Sequence, residues 1–309
     1  MKLQYSFPLT LTPFSDVAKN VGVSVDTLLS RLQSLKDQGY VRRVGFYVNT
    51  RSLGLTPILV GVKTDKPMEA YNYLREKFSV SHAYIRAGSD YNLWIVLRTR
   101  NLNDVLHYLE ALKGKYLQSF VLAPSVRVYK LSVKYDIVRG VSRSGPYPAR
   151  PLNTQHVLSD IEAKIVRMVH SLPLRIKPYS FIAKSLGVSE ENILEIVKRL
   201  LGKGVLADPG LILNARMLGF NVNAMIIVFN DAKNVCECVA SGIEEATHVV
   251  LRKLIPEYHG WSTACYFVVH SCSESTLVNV VDKACRLCSA KELEVLTSVR
   301  ELQEVSTRV

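Results

Sequence analysis

Residues 187–202 read Gly-Val-Ser-Glu-Glu-Asn-Ile-Leu-Glu-Ile-Val-Lys-Arg-Leu-Leu-Gly. Ser189 is placed to cap a helix, because its hydroxyl accepts a first-turn amide, and Glu190 and Glu191 suit the positive end of the helix dipole. Ile193, Ile196, Val197 and Leu200 recur at helical spacing and form the stripe to be buried. Gly204 ends the helix. Upstream, Pro178 opens a shorter helix ending near Gly187, and Ser159-Asp160 caps one whose face carries Ile161, Ile165, Val166 and Val169. A short apolar strand pair follows Gly204. Three helices and a two-stranded wing make a winged helix-turn-helix.

The same landmarks occur 165 residues earlier. Pro8 precedes Pro173, Pro13 precedes Pro178, and Gly22-Val23-Ser24 precedes Gly187-Val188-Ser189. Gly39, Gly45 and Leu53-Gly54 answer Gly204, Gly210 and Leu218-Gly219. At an offset of 166, Ser81-His82 with Arg86 answers Thr247-His248 with Arg252. A register shared over so many positions reads as a tandem duplication whose halves fold alike. The first half is short of its first helix, since only Met1 to Ser6 precede Phe7-Pro8-Leu9. Either another element covers that face or the true start lies upstream.

After each winged helix the pattern runs strand, helix, strand, strand, helix, strand. The first half places strands near 57–63, 80–86, 92–98 and 121–133, with helices near 67–78 and 102–112. The second places strands near 222–229, 247–254, 263–270 and 294–301. The fold class is therefore α+β, a tandem duplication of winged helix-turn-helix plus ferredoxin-like βαββαβ domain. The segments are 1–54 (winged helix), 55–138 (ferredoxin-like), 139–154 (linker, with Gly140, Gly145, Pro146, Pro148 and Pro151), 155–219 (winged helix) and 220–309 (ferredoxin-like).

The 309 residues carry a net charge of +12, all of it in residues 1–150, which hold 22 Lys/Arg against 10 Asp/Glu. The remainder is balanced at 17 and 17. An anionic partner is thus drawn to the first half, although basic surfaces also serve solubility. No apolar run reaches the roughly 18 residues of a membrane span, and no secretory leader is evident, which points to the cytoplasm. All six cysteines (Cys236, Cys238, Cys265, Cys272, Cys285, Cys288) lie in the second half. Their flanks are amphipathic, which favours buried structural thiols over a metal site.

A winged helix followed by a ferredoxin-like domain resembles the Lrp/AsnC family of transcription regulators. More specific is the stretch 81–94, Ser-His-Ala-Tyr-Ile-Arg-Ala-Gly-Ser-Asp-Tyr-Asn-Leu-Trp, together with Arg42-Arg43-Val44-Gly45 and Leu122-Ala123-Pro124. These resemble the A-type subunit of the siroheme decarboxylase branch of that family. The second half, with Pro173, Thr247-His248, Arg252, Pro256, Trp261 and Tyr266-Phe267-Val268-Val269-His270, resembles the B-type subunit. It departs from the pattern in three ways. Asp208-Pro209-Gly210 replaces the wing arginines, the Pro256–Trp261 loop is longer than expected, and Val250 stands where the first half has Tyr84.

The resemblance implies that siroheme, an iron tetrapyrrole with many carboxylates, is the substrate. Two acetate arms would lose carbon dioxide to leave didecarboxysiroheme, with no cofactor beyond the substrate's own iron. Arg42, Arg43, Arg86 and Arg252 are candidate carboxylate clamps, since guanidinium forks match carboxylates; Arg42 and Arg43 read equally well as a solvated wing pair. Tyr91, Trp94 and Trp261 could stack on a macrocycle or simply fill a core. His82 and His248 hold matching positions and suit a proton donor near neutrality, while His248 is alternatively an axial iron ligand. His259 and His270 are secondary candidates; His107, His156 and His170 read as structural or exposed. The runner-up is an Lrp-type, heme-responsive regulator. The acidic residues opening both third helices (Asp26; Glu190, Glu191) disfavour sequence-specific DNA contact. A fused chain already supplies an intramolecular pseudo-dimer, with a homodimer of such chains also open.

Overall fold

The computed structural model describes residues 2–144 and 152–303. In chain order its first half forms α1 (Lys2–Tyr5), α2 (Pro13–Val21), α3 (Val25–Asp37), β1 (Val41–Val48), β2 (Thr56–Lys63), α4 (Pro67–Lys77), β3 (Ser79–Ala87), β4 (Leu93–Thr99), α5 (Leu102–Leu112), β5 (Ser119–Leu131), β6 (Lys134–Asp136) and β7 (Val141–Arg143). The second forms α6 (Asp160–Val169), α7 (Ser180–Leu186), α8 (Glu190–Gly202), β8 (Leu206–Leu213), β9 (Val222–Val228), α9 (Ala232–Gly242), β10 (His248–Tyr258), β11 (Trp261–Ser271), α10 (Glu274–Cys288) and β12 (Leu293–Gln303). The chain is mixed α and β and divides into two compact units that cut across its halves. One holds residues 1–53 and 132–220, the other 54–131 and 221–309.

In the helical unit the repeated landmarks do the same local work. Ser24 and Ser189 each accept an amide three residues on, from Thr27 and Asn192, at 3.1 Å. Gly22 and Gly187 end α2 and α7 in the left-handed region, at φ 72° and 67°, where a Cβ is penalised. Phe7, Phe14, Leu32, Val44 and Phe46 share one buried cluster with Ile165, Val166, Val169, Ile193 and Val197. The face short of a first helix is thus covered within this common core. The single turn α1 adds Leu3 and Gln4, and the Gln4 side chain bonds both the N–H and the carbonyl of Tyr135.

The two wing strands pair antiparallel, β1 with β8, and Gly45 faces Gly210. A Cβ at Gly45 would collide with the His170 carbonyl, and one at Gly210 with the Leu3 carbonyl. Part of the expected linker is ordered: β6 and β7 pair across 134–143. Gly145, Pro146, Pro148 and Pro151 lie outside the described residues. Asp208, where the wing arginines are lost, pairs at 3.0 Å with Lys134, and both side chains are fully buried.

In the strand unit eight antiparallel strands run in the order β10-β5-β2-β4-β3-β12-β9-β11, and β11 pairs back onto β10. The ring closes because each half's sheet edge meets the other's, through β3–β12 and β5–β10. Alternation then sorts the side chains. Leu93, Ile95 and Leu97 of β4 join α4 and α5 in an outer core. Trp94 and Val96 turn inward to Leu59, Val121, Met225, Ile227, Leu254 and Tyr266.

Two sequence readings need correcting here. The stretch 256–261 is no long loop: β10 runs to Tyr258, and His259-Gly260 turns the chain with φ of 50° and 78°. Two consecutive positive φ values suit a tight hairpin turn, and histidine tolerates the first. Nor are all the cysteines free thiols. Cys236 is bonded to Cys265, fastening α9 to β11, and Cys238 to Cys288, fastening α9 to α10, which leaves Cys272 and Cys285 unpaired. No helix among the described residues is long and apolar enough to cross a membrane.

Candidate active site

Strand alternation places His82, Tyr84 and Arg86 on the inner face of β3, opposite Val96 and Trp94 of β4. The second half repeats this on β10, where His248 faces Val268 and Arg252 faces Ala264 of β11. The two arginines make the same bond by exchange between halves. Arg86 Nη1 donates to the Leu296 carbonyl on the last strand of the second half at 3.0 Å. Arg252 Nη1 donates to the Ala123 carbonyl on the last strand of the first at 2.7 Å. Both are buried, and burial brings each down to about 10, so both stay cationic at neutral pH. Neither has a carboxylate partner in an ion pair among the described residues. Each guanidinium also lies over a tyrosine ring, Arg86 4.7 Å from Tyr84 and Arg252 5.6 Å from Tyr266.

His270 lies on β11 opposite Asn223 and joins this end of the ring. Burial holds its imidazole down at about 3, and the charges of His248, Arg86 and His82 add to the depression. His248 is held at about 4 by burial and then by the Arg252 charge. Its Nδ1 meets the Thr247 hydroxyl at 3.2 Å. The expected titration near neutrality is therefore absent at His248: desolvation and a neighbouring cation both penalise the imidazolium. His82 stacks against Tyr84, ring centroids 6.3 Å apart.

The remaining candidates go elsewhere. Trp94 sits in the apolar middle of the ring, with its indole N–H on the Tyr91 carbonyl at 3.0 Å. Tyr91, His259 and Trp261 belong to the hairpin end. There Tyr258 donates to Glu294 at 2.7 Å, and His259 meets the same carboxylate oxygen at 3.0 Å. Arg42 and Arg43 belong to the helical unit. Arg43 is buried, and its Nη1 donates to the carbonyls of Phe46 (3.1 Å) and of His170, at the C-terminal end of α6. It is neither a solvated wing residue nor an open fork, because it serves a carbonyl of its own strand and one at the C-terminal end of α6. Arg42 is half-buried on the same strand. His107 and His156 lie in α5 and before α6, and His170 caps α6.

Sequence reasoning missed Tyr84, Asn223 and Tyr266 as site residues. Tyr84 was readable, because His-x-Tyr-x-Arg at strand period puts all three on one face. Asn223, whose carbonyl and Oδ1 take Arg86 at 3.2 and 3.1 Å, carries no local signal. Its role arises from pairing 137 residues away.

Comparisons agree with this layout. The siroheme decarboxylase NirDL-like HTH domain family matches residues 1–42 and 162–206, bridging both halves as the helical unit does. An AsnC-like ligand binding domain matches residues 217–303. A siroheme decarboxylase of Hydrogenobacter thermophilus is 26% identical over 98% of this chain and 91% of its own length. The siroheme decarboxylase beta subunit of Desulfovibrio desulfuricans is 30% identical, covering 49% of this chain and 96% of the subunit. The crystal structure of siroheme decarboxylase NirDL in complex with an iron-uroporphyrin III analogue superposes with a TM-score of 0.65 at 25% identity, over 98% of this chain and 90% of that one.

Proposed function

Because the chain belongs to the siroheme decarboxylase family, we propose that it removes carboxylates from siroheme, converting two acetate arms to methyl groups. The observation that carries this reading is the buried Arg252 guanidinium, whose Nε has no acceptor and beside which no carboxylate stands among the described residues. A buried cation unpaired by the protein is costly, and a polycarboxylate supplies the missing partner. The relatives carry the same activity in their names, over nearly the whole chain. The tandem arrangement, winged helix plus ferredoxin-like in each half, belongs to this proposal, as does a cytoplasmic setting.

For each arm the bond from CH2 to carboxylate breaks, carbon dioxide leaves, and the electron pair stays on carbon until a proton arrives. Each siroheme therefore consumes two protons. His82, His248 and His270 stand beside the guanidiniums and are the groups able to hold that proton. His248 is neutral in the free protein; a carboxylate bound beside it favours the imidazolium, so the substrate's own charge lifts the pKa toward working range. Its tautomer decides the alternative. With Nδ1 accepting from Thr247, Nε2–H is a donor; with Nδ1–H donating, Nε2 presents a lone pair to the substrate iron.

The test is anaerobic titration of the protein with siroheme, following absorption and released carbon dioxide together. Two equivalents of carbon dioxide per siroheme are expected. A saturable spectral change with no carbon dioxide would favour a sensor. The regulator reading is not favoured, and no sequence-specific duplex binding is expected: Glu190 and Glu191 open α8.

A further inference from the structure

The two halves of the site are built alike but finished differently. Tyr84 faces Trp94 across β3–β4, and Val250 faces Tyr266 across β10–β11, so Tyr266 is the second-half counterpart of Trp94. By the same comparison Asn223, opposite His270, answers Pro57, opposite Arg98.

These exchanges leave the arginines in different states. Arg86 is spent: it makes three bonds, to the Leu296 carbonyl and to both oxygens of Asn223. Its neighbour Trp94 is spent on the Tyr91 carbonyl. For Arg252 the answering residue, Pro57 of the first half, has no side-chain acceptor, and Arg252 has its Nη1 on Ala123 while its Nε lies buried with no acceptor among the described residues. The Tyr266 hydroxyl, on the ring that the Arg252 guanidinium overlies at 5.6 Å, is equally buried and without a partner there. Two unsatisfied donors on neighbouring inner-face residues offer an anion subsite, with the Glu294 charge acting on Tyr266 from the hairpin end. His248, Val250 and Arg252 hold successive inner positions on β10, which sets Tyr266, opposite Val250, one step and Arg252 two steps from His248.

We infer that Tyr266 and Arg252 form a carboxylate subsite for a single arm of the substrate, and that the first half, closed by Asn223 and Trp94, has none. The inference rests on the siroheme reading and extends it: one arm is anchored in the second half, which fixes a single orientation of the macrocycle. The pair is a binding device; the proton still comes from the histidines.

The experiment compares the full-length parent with Tyr266→Phe, which deletes one hydroxyl. Anaerobic absorption titration should show siroheme bound about tenfold more weakly, the equivalent of one hydrogen bond to a charged group. Binding of the fully esterified tetrapyrrole should not change, and KM should rise more than kcat falls. Removing an unpartnered buried hydroxyl should leave the melting temperature of the free protein at or above that of the parent, which a structural role would not allow. Asn223→Ala, which removes the one side-chain acceptor among the three that hold Arg86, supplies a second check: it should raise affinity for the carboxylated substrate or leave it unchanged. The subsite is overturned if Tyr266→Phe binds siroheme like the parent while the parent decarboxylates it. It is also overturned if free acetate or bicarbonate alone gives the Tyr266-dependent near-ultraviolet change and siroheme affinity is unaltered, which assigns the pair to a small anion. If the parent neither binds nor decarboxylates siroheme, the functional reading falls as well.

Discussion

Arg43 and His248 show how far a residue's identity goes toward its role. Both stand in family-like motifs, and sequence alone read one as a clamp or a solvated wing residue and the other as an acid near neutrality or an iron ligand. The charge of Arg43 was legible; the carbonyl it serves lies 127 residues away and was not. Replacing Arg43 with alanine removes the guanidinium's bonds to the Phe46 and His170 carbonyls in a buried site. We expect a loss of about 2–3 kcal/mol in unfolding free energy, read by denaturant titration, with siroheme affinity changing less than stability. His248→Ala and His82→Ala should behave oppositely. Each should keep siroheme binding while turnover falls about a hundredfold, the usual contribution of a positioned proton donor. Parent-like turnover in both variants contradicts their assignment. A shift of the Soret band in His248→Ala alone would assign that residue to the iron.

Among the elements, β10, β11 and α9 decide the site. Their inner and outer faces were readable from alternation in Tyr266-Phe267-Val268-Val269-His270, but the hairpin at His259-Gly260 was not, because its signal is the rare positive φ of a histidine. Buried, depressed histidines on β10 and β11 give the fold a pH dependence whose sign is fixed. The unfolded chain binds protons at both histidines near pH 6.5, whereas the folded chain takes them up only near pH 4 and 3. Between those limits the unfolded state holds more protons, so stability falls as pH falls below about 6.5. Thermal melts from pH 7.5 to 5 should show a falling transition, flattened in His270→Asn. Helix α9 adds a covalent expectation. Thiol titration under non-reducing, denaturing conditions should find two reactive cysteines, Cys272 and Cys285, and six after reduction. Reduction should also lower the melting temperature, since each bond closes a long loop in the unfolded chain. Six thiols before reduction would contradict the pairing.

At the scale of the molecule, the duplicated register was plain in the chain, and the element order followed from it. What it did not reveal is that the compact units exchange halves, one joining residues 1–53 with 132–220 and the other 54–131 with 221–309. Exchange follows from edges and faces: a four-stranded sheet leaves unpaired edges, and the sister half offers the matching ones. That closure brings His82 and Arg86 to His248, Arg252 and His270, from strands more than 160 residues apart in sequence. The central claim is that this shared end performs a protonating decarboxylation. Its most direct test is anaerobic incubation with siroheme in deuterium oxide, followed by mass analysis of the tetrapyrrole. The account predicts a product lacking two carbon dioxide units and carrying one solvent deuteron in each new methyl group. Siroheme recovered intact from a stable complex would contradict it.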